Sequence, residues 1–98
     1  MAITFPNVVK AVGAGVTSVT TSGVTTTAGS TLFVAASYGI AYAGSANTPT
    51  DNKSNAYTLI DTQDGPISGI RAWRKENGAG GAGHTVTVTF PGNDYPTV

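Results

Sequence analysis

Six consecutive residues, Thr85-Val86-Thr87-Val88-Thr89-Phe90, alternate threonine with a larger apolar side chain. Successive side chains of a strand point to opposite faces, so such a run makes a strand with one wet face and one buried face. Thr and Val are also β-branched and stiff at χ1, which suits a pleated sheet better than a helix. The rest of the chain repeats this chemistry less regularly. No 3.6-residue apolar period is found, and 13 Gly and 5 Pro disfavour helix interiors.

Strand readings follow in order. Residues 3–5 read as a short edge strand stopped by Pro6, whose missing N–H suits an edge. Residues 8–12 read as a second short segment and residues 16–21 as a strand with imperfect alternation. Ser22-Gly23 and Ala28-Gly29-Ser30 punctuate the run Thr25-Thr26-Thr27 as turns. Residues 31–42 read as the core strand, with Leu32, Val34, Ala36, Tyr38 and Ile40 on one face and Phe33, Ala35, Ser37 and Gly39 on the other. Both faces are apolar or small, as in a strand buried on two sides or packed on a core with its second face against another subunit. Residues 44–55 form a long polar connection, the best candidate for a functional loop. Residues 57–60 and 69–74 are strands. The second sets Ile70, Ala72 and Arg74 opposite Arg71 and Trp73, and Gln63-Asp64-Gly65-Pro66 is a turn between the two. The glycine-rich residues 77–83 read as a loop, residues 84–90 as the alternating strand, and Pro91-Gly92-Asn93-Asp94 as a turn. Seven or eight short strands at a spacing of about 8–14 residues predict an all-β fold, an antiparallel β-sandwich or jelly roll.

A chain of 98 residues supports one core and hence one domain. Charged residues are only 10% of it, against roughly 25% in an average soluble domain. Thr, Ser, Asn and Gly must therefore cover the surface. Five Lys/Arg balance five Asp/Glu, which removes the basic footprint that nucleic acid or an anionic membrane would need. This also disfavours an oligonucleotide-binding barrel. Zero net charge weakens colloidal repulsion and favours self-association, so a homo-oligomer is expected. There is no cysteine for a disulfide, a thiolate nucleophile or a thiolate metal site. Met1-Ala2-Ile3-Thr4-Phe5-Pro6 lacks the basic and apolar regions of a signal peptide. The longest apolar stretch, residues 32–42, falls short of the roughly 20 residues of a membrane helix, so no membrane insertion is expected. Release with a virus particle, or excision from a longer secreted chain, would place such a domain outside a cell.

Three stretches carry a resemblance: Ala28-Gly29-Ser30-Thr31-Leu32-Phe33-Val34, the run from Thr48 through Asp51-Asn52-Lys53-Ser54-Asn55-Ala56-Tyr57 to Ile60, and residues 79–90. In this order they resemble a family of β-sandwich domains that recur in phage virion proteins and bacterial surface proteins. The resemblance implies a structural or attachment role without shared enzymatic activity. Two departures stand out. Ser54 occupies a position where the family usually has Gly, so the turn's backbone is expected to differ. Relatives also continue past the alternating strand with a further apolar strand, so the resemblance implies either that the domain is incomplete at its C-terminus or that a partner supplies the missing strand at an unpaired sheet edge.

Several residues were weighed for chemistry. His84 is the single histidine. With no carboxylate at a useful spacing it reads as a solvent-facing strand-start residue, and a small hydrolase would need it brought beside a carboxylate. Asp51, Asn52, Ser54 and Asn55 offer hard oxygens for a calcium ion, although Lys53 interrupts the EF-hand pattern and Asx turns explain the same residues. Asp61 and Asp64, three apart, read as solvated turn carboxylates rather than a glycosidase pair. Trp73, with Arg71 on its strand face and Asn77 nearby, is either core or an exposed platform for a sugar ring, and Tyr38, Tyr42, Tyr57 and Tyr95 are similarly open. The Gly78–Gly83 run precedes a strand instead of a helix and so is no phosphate cradle. No cofactor motif is found. The leading expectation is a non-catalytic structural or attachment domain of a virion or surface assembly. The alternative is a carbohydrate-binding module using Trp73.

Overall fold

Burying the side of the apolar alternation that carries Leu32, Val34, Ala36 and Tyr38 organises the molecule. The computed structural model describes residues 8–39 and 44–98. Readings for residues 3–5, Ile40 and Tyr42 lie outside them. The described residues hold eight strands and no helix: β1 (Val16–Thr20), β2 (Val24–Thr26), β3 (Leu32–Gly39), β4 (Thr50–Asp51), β5 (Thr58–Asp64), β6 (Ser68–Lys75), β7 (Gly81–His84) and β8 (Val86–Asp94). They form antiparallel sheets in the orders β1-β8-β4, β2-β7 and β3-β6-β5, a sandwich-like all-β fold as the alternation predicts.

The β3-β6-β5 sheet sets the frame. Val34 lies opposite Trp73, Ala36 opposite Arg71 and Tyr38 opposite Gly69. The side chains of Val34, Ala36, Tyr38 and Trp73 enter one core with Val19, Ala46, Tyr57, Val88 and Phe90. The Tyr38 and Phe90 rings meet with centroids 6.3 Å apart at a tilt of 54°, a favourable aromatic arrangement. Phe33, Ala35 and Ser37 point out to solvent on the opposite face. β3 is thus buried on one side only, and its apolar second face is uncovered among the described residues.

Three local readings change. The glycine run does not stay a loop: Gly81–His84 is a strand pairing with β2, with Val24 opposite His84 and Thr26 opposite Gly81. The glycines permit this because the backbone passes very close: a Cβ on Gly80 would come within 2.7 Å of Ala28 N and Thr27 C and 2.8 Å of Thr26 O. The predicted turn at Pro91-Gly92 lies inside β8. Between Ser18↔Thr89 and Val16↔Asp94 the register shifts, and this irregularity accommodates a proline that a regular central strand would exclude. Likewise β5 runs on through Gln63 and Asp64, and the turn begins at Gly65.

The segment at residues 8–12 runs beside the C-terminal residues. Ala11 and Val98 exchange backbone hydrogen bonds of 2.8 Å each, and Gly13 N–H donates to Pro96 O at 2.9 Å. Thr97 in turn bridges Val12 on one side and Ser37 of β3 on the other. The β3 edge is therefore closed at Ser37 by the chain's own residues.

Candidate functional site

Asp51 ends β4 in the polar connection, and its carboxylate is fully buried. Isolated burial of an ionised carboxylate is very costly unless donors surround it. Here five do. Oδ1 accepts from the backbone N–H groups of Lys53 (3.0 Å) and Asn55 (2.9 Å). Oδ2 accepts from Asn55 Nδ2, Tyr57 OH and His84 Nε2, each at 2.8 Å. Burial pushes the Asp51 carboxyl upward, but the side-chain and backbone bonds from Asn55, with those from His84 and Tyr57, outweigh it and hold the group well below the usual carboxylate range. The same contact acts in reverse on Tyr57. Burial first, and the Asp51 acceptor second, raise its phenol well above the ordinary tyrosine value.

His84 is therefore not a solvent-facing residue: its side chain is 3% exposed, and the carboxylate it lacks in sequence is brought to it from 33 positions away. The fold does this by pairing β4 with β8 and β7 with β2, and Asn52 fastens the junction of β7 and β8, accepting from Thr85 N–H (3.0 Å) and donating to Gly83 O (2.8 Å). Against an acceptor-only carboxylate, Nε2 carries the proton. Nδ1 lies 2.7 Å from Thr26 Oγ1, so in the neutral ring the threonine hydroxyl donates to it. Thr26, His84 and Asp51 thus form a continuous hydrogen-bonded chain linking β2, β7 and β4. Its chemistry is that of an oriented imidazole able to accept a proton from a hydroxyl, and its structural effect is to tie three strands together.

The expected calcium ligands are engaged otherwise. Asp51 faces five donors, Asn55 Oδ1 receives Ala79 N–H at 2.8 Å, and Asn52 Oδ1 receives Thr85 N–H. A cation at Asp51, Asn52 and Asn55 would have to displace these donors, which hold the residues in a hydrogen-bonded turn. Among the described residues no group of three or more His, Cys, Asp or Glu is arranged to hold a metal. Ser54 corrects another expectation. At φ 60° it adopts the left-handed conformation that glycine favours, so the turn keeps a glycine-type backbone despite its side chain.

The sugar platform fails on burial. Trp73 is 1% exposed and sits in the core. Arg71 shares its inward face, as predicted, but Nη1 donates to Ala46 O at 2.8 Å. Asn77 stands exposed at a turn with φ 51°. The three do not converge on one surface. Asp64 accepts from Tyr38 OH (2.7 Å) and Ser45 Oγ (3.0 Å), while Asp61 caps its neighbour's N–H, so the two carboxylates serve separate local bonds. Burial, and then the Asp64 bond, raise the Tyr38 phenol.

Sequence reasoning missed Asp94, which is wholly buried at the end of β8. Its Oδ1 accepts from Gly39 N–H at 2.9 Å and Tyr95 N–H at 2.6 Å, fastening β8 to the end of β3. It also missed a cleft of about 790 Å³ lined by, among others, Val8, Thr26, Leu32, Tyr57, His84 and Val86. No protein-family model, curated protein or solved structure matches the chain.

Proposed function

We propose that the chain is a non-catalytic structural or attachment domain of a virion or surface assembly, acting through protein–protein contacts. The observation that carries this reading is the outer face of the β3-β6-β5 sheet, which is uncovered among the described residues. Phe33 is 62% and Ile70 47% exposed there. The register sets Ala35 opposite Ala72 and Ser37 opposite Ile70, with Phe33 opposite Arg74 and with Asp61 and Gln63 of β5 beyond Ala72 and Ile70, so an exposed apolar strip on β3 and β6 is bordered by polar and charged side chains. Such a patch on a chain of zero net charge fits a surface that meets another protein. β5 is the outer strand of this sheet, with Leu59 and Ile60 half exposed. A strand edge of this kind supports docking by further strands. The motif resemblance to virion and surface sandwich domains points the same way. The carbohydrate alternative loses the tryptophan that carried it.

Sedimentation across a concentration series tests the proposal. A defined oligomer is expected, with Phe33→Ser and Ile70→Ser shifting it toward smaller species. A clean monomer at every concentration contradicts self-assembly through this face. Turnover of a p-nitrophenyl ester by the chain, abolished in His84→Ala, would overturn the non-catalytic reading.

A further inference from the structure

The carboxylate that His84 lacks in sequence is supplied by the fold, and the other side of the same ring faces a hydroxyl. Thr26 Oγ1 lies 2.7 Å from Nδ1, and Asp51 Oδ2 lies 2.8 Å from Nε2. An alcohol bonded to a base that is itself oriented by a third group is the arrangement that activates a nucleophile for acyl transfer. The Asp51 carboxylate only accepts hydrogen bonds, so it fixes the Nε2–H tautomer and turns the Nδ1 lone pair toward Thr26. The register of β2 on β7 then clears the hydroxyl. Thr26 stands opposite Gly81, which has no side chain to cover it. Thr26 is half-buried, while the His84 side chain is 3% exposed. The nucleophile thus reaches the surface and its base hardly does.

We infer that Thr26 is an acyl-acceptor site, taking one acyl group per chain from an activated ester or thioester. The step balances between the cluster and the donor. Thr26 Oγ1 attacks the acyl carbon and forms the new C–O bond, while its proton passes to His84 Nδ1 and Asp51 faces the imidazolium that results. The bond from the acyl carbon to the leaving group breaks, and its electron pair departs with that group as phenolate or thiolate. The imidazolium then returns the proton to the leaving group or to water. The product is a threonyl ester. Thr26 and His84 both line the cleft with Val24, Leu32, Val34 and Val86, and its described lining holds no Asp, Glu, Lys or Arg. The acyl group it takes is therefore aliphatic and uncharged. Hydrolysis of the ester needs a water activated by the same Nδ1, and the acylated side chain then stands on the route to a ring that is otherwise enclosed. The site is acylated once and does not turn over, so the inference goes beyond the structural or attachment reading without displacing it.

The test mixes the 98-residue chain with p-nitrophenyl butyrate and locates the butyryl groups by peptide mapping with mass spectrometry. Hydroxylamine, which cleaves esters and leaves amides, separates a threonyl ester from acylated lysines. Thr26 is expected to be butyrylated about a hundredfold or more faster than Thr58, an exposed strand threonine. In urea sufficient to unfold the chain the two rates should converge. Comparable rates at the two threonines in the native chain, or a preference for Thr26 that survives unfolding, overturn the inference. His84→Gln, checked for native hydrogen exchange, is expected to remove the preference. An undiminished preference in the folded variant overturns it as well, and if the variant does not fold, the comparison of native and unfolded wild-type chain decides. Release of p-nitrophenolate at the Thr26 rate is expected to stop at one equivalent per chain. Continued release overturns single acylation and, with it, the non-catalytic reading, whereas a monomer by sedimentation removes self-assembly and leaves the Thr26 site untouched.

Discussion

Two regions share the side chains of Thr26, Tyr57 and His84 and treat them in opposite ways. On one side the Asp51 centre meets a buried carboxylate with five donors. On the other they line a cleft of about 790 Å³ together with apolar side chains such as Leu32, Val34 and Val86. A centre whose polar groups are engaged with one another ties β2, β4 and β7 together. Histidine, tyrosine and aspartate are the residues a search for catalysis would choose, and in this fold they are hydrogen-bonded to one another, with His84 and Tyr57 also lining the cleft.

The comparison breaks most sharply at Asp51. Asp51→Ala removes the shared acceptor and strands buried donors on Asn55, Tyr57 and His84, and is expected to cost about 3–5 kcal/mol in chemical denaturation. Phe33→Ser, on the exposed outer face of β3, is expected to change stability by no more than about 0.5 kcal/mol while altering association. Comparable losses for the two would erase the distinction. His84→Ala removes one donor of five and leaves Thr26 without its partner, with an expected loss of about 1–3 kcal/mol.

Acid titration sharpens the same point. Asp51 is held below its unfolded value, so its contribution is complete above about pH 4 and is lost as pH falls through the lower folded value. Stability should thus decline on acidification, and Asp51→Asn should flatten that decline. Tyr57 works at the other end: its raised phenol contributes below about pH 10 and the contribution is lost as pH rises further, so Tyr57→Phe should flatten the alkaline limb. The smallest effect is at Ser54. Relieving its left-handed backbone with Ser54→Gly is expected to gain about 0.5 kcal/mol, read as a shift in the denaturation midpoint at unchanged slope.

The frame of the fold was legible because its signals are local. Alternation at residues 32–38 put the correct side chains inward, and the pairing of Trp73 with Arg71 on one strand face is what β6 shows. What alternation does not say is which face is covered. Trp73 looked free to be a platform until Val34 and Leu59 were found on either side of it in the sheet. The Asp51–His84 contact was illegible for a different reason: it joins residues 33 apart, and only the pairing of β4 with β8 and of β7 with β2 brings them together. One faint signal existed, since the polar run from Asp51 to Tyr57 is richer in hydrogen-bonding groups than a plain turn needs. The strand at Gly81–His84 was hidden because glycine reads as a breaker, whereas the Gly80 position requires it for close backbone approach.

Residue-resolved hydrogen exchange on the native chain tests the sealed polar centre most directly. The Lys53 and Asn55 amides, donors to Asp51, are predicted to exchange only through global unfolding although neither lies in a strand. Fast exchange at both would contradict the sealed polar centre.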